Sequence, residues 1–410
     1  MGGTRIIGRA LLPVLMLLAS CGTRPKEEAC VANDVRILNA DDPLELSFDE
    51  VVDSVSYIAL DSRKCVVGDV ETVRRDGDML FVKDSKGLYA FTTSGAFVSQ
   101  IGTFGKGPQE YMYIQTFYLD TKNKHVYIVS YPDKKLLEYS YDGRFVAASP
   151  LPAVDGCMDN VVSHTPDSLV VYNALSNDVM ERPAEYILLS DVSGVWKREQ
   201  LLKGIGNRTR SVRYPFLYNP MTVSHNGIYA ISALSDIVYR YNGKDGMSPA
   251  FRVPLPKLCP TATVLGSLDC MDFFSLKDAL EERGYGLGIT GITTVDGNFV
   301  LAVNGAQTVI TDGRVGVVVA PMVYDGNIGT YVSGFFAQGI SGEYMGHIDA
   351  LTLLEAKENI MKGGNRHLKR LCDTLSAEDN PVVFQYHFKN GLLEILKRKL
   401  HVHYNIDGKA

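Results

Sequence analysis

Phe91-Thr92-Thr93-Ser94-Gly95-Ala96-Phe97-Val98 and Tyr139-Ser140-Tyr141-Asp142-Gly143-Arg144-Phe145-Val146 are two copies of one pattern: strand, tight glycine turn, strand. Both carry the signature of a hairpin. Arg240-Tyr241-Asn242-Gly243 is a third, looser copy. Around these hairpins a second pattern recurs, a turn followed by an apolar strand core. Asp76-Gly77-Asp78 precedes Leu80-Phe81-Val82, and Lys122-Asn123-Lys124 precedes Val126-Tyr127-Ile128. Asp167-Ser168 precedes Leu169-Val170-Val171, and Asn226-Gly227 precedes Ile228-Tyr229-Ala230. Asp296-Gly297-Asn298 precedes Phe299-Val300-Leu301. Successive core centres lie 46, 43, 59 and 70 residues apart. The first two intervals match a four-stranded propeller blade, about 40–50 residues; the longer two imply insertions. One blade cannot bury both its faces alone, but blades stacked around an axis can.

The chain is therefore expected to be all-β: a six-bladed β-propeller of four-stranded antiparallel blades over residues 45–390, with small helical insertions near 272–283 and 349–375. Five blade cores are read directly. The sixth blade comes from a resemblance. Ile101-Gly102-Thr103-Phe104-Gly105-Lys106-Gly107-Pro108-Gln109-Glu110-Tyr111 resembles the inter-blade signature of a six-bladed propeller family with NHL-like repeats. That family is typical of lipoproteins from gut-anaerobe Gram-negative bacteria. The resemblance makes Gly105, Gly107, Pro108 and Glu110 structural residues of the signature. Asp379-Asn380-Pro381-Val382-Val383, followed by Phe384, Tyr386 and Phe388, resembles the family's closing strand. Val52 to Leu60 reads as an early strand, expected to complete the last blade beside residues 382–388, so that both ends of the chain lock the ring.

Two helical segments interrupt the strands. Asp272 to Arg283 begins on a capping aspartate and places Phe274, Leu276 and Leu280 at near-helical spacing. Asp349 to Met361 and Asn365 to Leu375 flank Gly363-Gly364, with Leu351, Leu354 and Ile360 apolar. Such segments are either decorations packed on the ring or a lid and partner surface over one mouth of its channel.

Residues 1–20 have the layout of a secretory signal. Arg5 and Arg9 make the start positive, Ala10 to Leu18 is apolar but too short to span a bilayer, and small residues follow. Leu18-Ala19-Ser20-Cys21 resembles the bacterial lipobox, which implies diacylglyceryl transfer to Cys21 and cleavage just before it. Several acyl chains on one residue suffice for stable anchoring. Gly22 is not the aspartate that marks inner-membrane retention. Lys26-Glu27-Glu28 resembles the signal that some Gram-negative gut anaerobes use to export lipoproteins to the cell surface. Residues 21–44 read as a lipidated flexible tether and 391–410 as a C-terminal tail. The expected location is the outer membrane, on the cell surface or facing the periplasm.

The net charge of −6 leaves no basic footprint for nucleic acid. Cys30, Cys65, Cys157, Cys259, Cys270 and Cys372 remain beside Cys21; no Cys-x-x-Cys motif occurs, and buried free thiols are expected. Cys259 and Cys270 are close enough in sequence to bridge a loop. Gly102 to Gly107 lacks the Walker spacing, and Gly339-Ile340-Ser341-Gly342 is no nucleophile elbow. The eight histidines form no His-Glu-x-x-His motif. His401 and His403 alternate as they would on one strand face.

No catalytic residue, metal ligand or cofactor is assigned. The leading expectation is a binding scaffold, tied to the membrane by its N-terminal lipid, for an unknown protein or glycan partner. The alternative is a divalent-metal-dependent hydrolase or lyase at the central channel, which needs three or more convergent carboxylate, Asn or His side chains. A purely structural envelope subunit is a third reading.

Overall fold

A computed structural model of the chain describes residues 33–151, 157–165, 168–174, 185–192, 195–203, 217, 219–232, 234–243, 246–256, 258, 273–304, 307–333 and 344–407. The strands build a six-bladed β-propeller. Blade one holds Val70–Asp76, Met79–Asp84, Leu88–Thr92 and Phe97–Gln100, antiparallel in chain order. Blade two repeats this with Ile114–Asp120, His125–Ser130, Lys135–Ser140 and Phe145–Pro150. Blade three is Cys157–Thr165, Ser168–Ala174, Glu185–Val192 and Val195–Lys203. Blade four is Met221–Ser224, Gly227–Ile231, Ile237–Tyr241 and Met247–Arg252. Blade five is Ile289–Val295, Asn298–Val303, Gln307–Thr311 and Val315–Val319.

Each of the five apolar cores is the second strand of its blade. Such a strand is covered on both faces, so its apolar residues run on without alternating. The strand's period of two then deals them out to two seams. Leu169 and Val171 pack toward blade two, while Val170 and Tyr172 pack toward blade four. Among the described residues one hydrophobic cluster fills each of the six seams.

The hairpin glycines meet two demands at once. Gly95 and Gly143 both take φ +86° at the turn between third and fourth strands. Each also presses on the preceding blade. A Cβ on Gly95 would lie 1.9 Å from the Ala59 carbonyl oxygen, and one on Gly143 2.8 Å from that of Gln100. The Gly95 carbonyl accepts a bond from Asp61 N at 2.9 Å across the same seam.

The sixth blade closes the ring with both ends of the chain. Val52–Ala59 pairs antiparallel with Val382–Phe388, which pairs with Tyr344–Ile348. Residues 334–343, just before Tyr344, lie outside the described residues. Side chains pin this closure. Asn380 accepts from Val67 N at 2.8 Å and donates to the Cys65 and Asp61 carbonyls at 2.8 and 3.3 Å. Tyr386 donates its hydroxyl to Asp325 at 2.6 Å, tying in the ribbon Met322–Asp325 and Thr330–Ser333.

Helices Ala350–Glu355, Lys357–Lys362 and Arg366–Thr374 lie between the second and third of these sixth-blade strands in chain order. Asn365 caps the last of them by accepting from Leu368 N at 3.0 Å. Leu353, Ile360, Leu368 and Cys372 pack on Tyr57, Ile328 and Val382, so the helices buttress blade six. Phe273–Glu282 is the other insertion; Leu280 is its buried anchor, and Asp272 lies outside the described residues.

Two expectations need correction. The tether does not run to residue 44. From Asn33 onward the chain is part of the ring: Asp34 bridges Arg252, Arg36–Ile37 pairs in parallel with Val315–Gly316, and Leu44 bridges Val319. Val35, Leu44 and Leu46 are buried along this rim, and Asn39 fixes it by exchanging two bonds with the Val318 backbone. Residues 391–410 are not a tail, because Leu392–Asp407 is a helix. Leu392, Leu393, Leu396 and Leu400 fall on one helical stripe and are buried in the seam between blades five and six. The Asp296 carboxylate, from blade five, accepts from Gly391 N and Leu392 N at its start. His401 and His403 are exposed on this helix rather than on a strand.

Gly95→Ala is expected to cost about 3 kcal/mol, combining left-handed strain with a backbone clash, whereas Gly77→Ala (φ +55°, open space) should cost about 1. Urea midpoints measure both; equal losses would remove the inter-blade contact from the argument. Burial drives the hydroxyls of Tyr118, Tyr186, Tyr344 and Tyr386 far above their ordinary value of 10.0. Above pH 10 the unfolded chain releases these protons and the folded chain keeps them, so stability is complete below pH 10 and falls as pH rises further. The share of tyrosinate absorbance that belongs to these four buried rings should therefore appear only together with loss of β-sheet circular dichroism, as a step separate from that of the exposed rings.

Candidate functional site

The first strands of the blades form the channel wall. Three of these walls are joined by amides: Asn160 donates to Asn219 at 3.3 Å, and Asn219 donates to the Ile292 carbonyl at 2.7 Å. Thr222, Thr290, Thr293 and Thr294 make the adjoining strands rich in threonine. On the blade-one wall Arg74 stacks its guanidinium 4.8 Å over the Phe117 ring, and burial lowers its pKa to about 10. Among the described residues no three His, Cys, Asp or Glu side chains gather as a metal site. Asn219 thus uses its amide oxygen and one N–H on Asn160 and on backbone, while the buried Asn160 Oδ1 has no hydrogen-bond partner among the described residues.

Alternating strand direction gives the propeller two faces. The turns between first and second strands, and between third and fourth, share the hairpin face. The second-to-third turns and the blade-to-blade links share the connection face. A cleft of about 350 Å³ opens on the connection face between blades one and two. Its wall is the turn Asp84-Ser85-Lys86-Gly87, which follows the blade-one core. Asp84 is buried and accepts from Lys86 N, Gly87 N and Gly68 N, each at 2.7 Å. Lys83, also buried, pairs with Glu71 and lies 5.4 Å from the Tyr113 ring centre. The opposite wall comes from the 101–113 link. Phe104 is 71% exposed and Tyr113 44%, so two rings stand in solvent beside an ion pair whose ammonium is buried and whose carboxylate is exposed. Large exposed rings next to fixed charge are the usual anchors of a binding surface.

The signature residues form the frame of that second wall. Thr103–Phe104 pairs in parallel with Glu110–Tyr111. Pro108 sits in the turn closed by Glu110 N to the Gly107 carbonyl at 3.2 Å. The Glu110 carboxylate folds back on Gly107 N at 2.7 Å, and a Cβ on Gly105 would lie 2.0 Å from it. Gly105 and Gly107 are thus spaces filled by Glu110, and together they hold Phe104 outward. Cys21 lies outside the described residues, as do Cys259 and Cys270. Cys65 and Cys372 are free thiols; burial pushes the Cys65 thiol up to about 11. Lys83 and Asp84 were missed in the sequence. The available signal was Asp84-x-x-Gly87 directly after an apolar core, which is the signature of an aspartate that caps its own turn.

Asp84→Ala strips three backbone N–H groups of their acceptor, that of Gly87 buried and those of Gly68 and Lys86 partly so. Each unsatisfied donor costs about 1–3 kcal/mol, less whatever water can recover. A loss of about 3 kcal/mol in urea unfolding is expected, with faster amide exchange at Gly68 and Gly87 than in the parent; unchanged exchange there would discard the role given to Asp84.

The family model described as "Domain of unknown function (DUF4934)" matches residues 33–387. No curated protein matches the chain. Among solved structures, a candidate exported protein from Bacteroides fragilis NCTC 9343 aligns with a TM-score of 0.59 at 17% identity, covering 87% of this chain and 99% of that one. A DUF4221-family protein from Bacteroides vulgatus ATCC 8482 aligns with a TM-score of 0.49 at 8% identity, over 83% and 98%. At such identities the likeness concerns fold alone. The family match begins at the rim segment that the structure places in the ring and ends in the closing strand. The chain belongs to the DUF4934 family.

Proposed function

We propose that this protein is an outer-membrane lipoprotein, anchored through Cys21, whose propeller serves as a binding scaffold outside the inner membrane. The observation that carries the reading is the connection-face cleft. It sets exposed Phe104 and Tyr113 on a rigid frame beside buried Lys83 and its exposed partner Glu71. Preformed walls of this kind spend little entropy on ordering when a partner docks. The described chain enters the ring at Asn33, which lines a groove on the hairpin face.

Cys21→Ala should move the protein from the membrane fraction to the soluble fraction and abolish labelling by a radiolabelled fatty acid. Retention of label would overturn the anchor. Phe104→Ser with Tyr113→Ser should remove whatever partner the wild-type protein recovers after cross-linking in cells, at unchanged melting temperature; undiminished recovery would move binding away from the cleft. Protease added to intact cells then separates surface display, where the propeller is cut, from a periplasm-facing site, where it is spared.

A further inference from the structure

The groove on the hairpin face has a chemistry quite unlike the cleft. It lies between blades four and five and encloses about 470 Å³, within the range of small-molecule sites, roughly 300–1,000 Å³. Its floor is aromatic but sealed. Tyr229 meets Phe299 edge-on at 4.6 Å, Phe251 lies 5.0 Å from Phe299, and all three are buried. The rings therefore stiffen the floor and offer no open face for stacking. Recognition falls to the rim, where Arg240, Arg314, Asn226, Asn242, Ser248 and His225 converge.

Arg240 is held in place from two sides. It donates to the Asn226 carbonyl, and its guanidinium carbon lies 6.0 Å over the Tyr229 ring. Among the described residues neither Arg240 nor Arg314 is in an ion pair. Among the described residues the one carboxylate on the rim, Asp312, is occupied by its own turn, accepting from Arg314 N and Val315 N at 2.8 and 2.9 Å. The rim thus carries two guanidiniums free to meet an anion, in the forked geometry that suits a carboxylate or sulfate. A bare anion would use donors alone. Asn242 Nδ2 already donates to the Ser248 hydroxyl oxygen at 2.5 Å; the Asn226 amide, the Asn242 amide oxygen and the Ser248 O–H still supply acceptors as well as donors, which is what hydroxyl groups require.

We propose that the groove between blades four and five binds an acidic saccharide, with Arg240 and Arg314 on its carboxylate or sulfate and the Asn and Ser side chains on its hydroxyls. This stands apart from the cleft, which lies on the other face.

Calorimetry on the purified full-length protein at low salt tests it, with digalacturonate, a sulfated disaccharide, a neutral disaccharide and inorganic sulfate as probes. One of the two acidic disaccharides is expected to bind about tenfold or more tighter than the neutral one and than sulfate. Arg240→Gln and Arg314→Gln should each weaken that binding about tenfold, while both proteins keep the parent melting temperature. Phe104→Ser on the opposite face should leave it unchanged, so loss of partner recovery at the cleft and loss of saccharide binding are read separately. Equal binding of sulfate and acidic disaccharide overturns saccharide recognition. Equal binding of the neutral disaccharide overturns the arginine role, as does wild-type affinity in both arginine variants. No heat from any probe overturns the proposal as a whole.

Discussion

Everything in this molecule depends on the antiparallel pairing of Val52–Ala59 with Val382–Phe388. A blade has two apolar faces, and each finds cover only on a neighbour. A row of blades always leaves an uncovered face at either end, and only a closed ring removes both. The pairing, and the side-chain bonds of Asn380 and Tyr386 around it, convert a row into a ring. The seam between blades five and six then receives two more pieces, the rim segment and the last helix, both contributing to the same hydrophobic cluster. Segments from both ends of the described chain thus add cover beside the closing blade.

The ring was legible because its signals are local and repeated. Second strands are covered on both faces, so Leu80-Phe81-Val82 and its counterparts stand out as continuous apolar runs. Turn glycines stand out because the backbone there admits little else. The parts misread are those whose partners are remote. Val35, Ile37, Leu44 and Leu46 are spread among charged residues, and only the edge of blade five, far along the sequence, gives them something to cover. The leucines from Leu392 to Leu400 carry a helical period, but the basic residues between them suggested a solvated end. The cleft was half legible: its signature loop was recognised as structure, while the buried Lys83 and Asp84 opposite were not.

The two faces divide the chemistry. On the connection face aromatic rings are exposed and the buried Lys83 ammonium is paired with Glu71. On the hairpin face the rings are sealed beneath and the charges stand outward. The first arrangement gains most from excluding water over a broad contact, the second from directed hydrogen bonds to a small polar ligand. On the channel wall between them, Asn219 is bonded to Asn160 and to the Ile292 carbonyl.

The closing pair joins Ser56 to His387, residues 331 apart in sequence. A chain synthesised from its N-terminus delivers Val52–Ala59 early and that strand's partner nearly last. For all the intervening time Val52–Ala59 is an unpaired edge, the kind of segment that recruits other chains. Its own composition restrains this: Asp53, Ser54 and Ser56 interrupt the apolar residues, and Asp53 and Ser54 remain exposed even in the finished ring. Assembly is therefore ordered in time as well as in space, with the earliest strand kept soluble by polar residues until the last blade arrives.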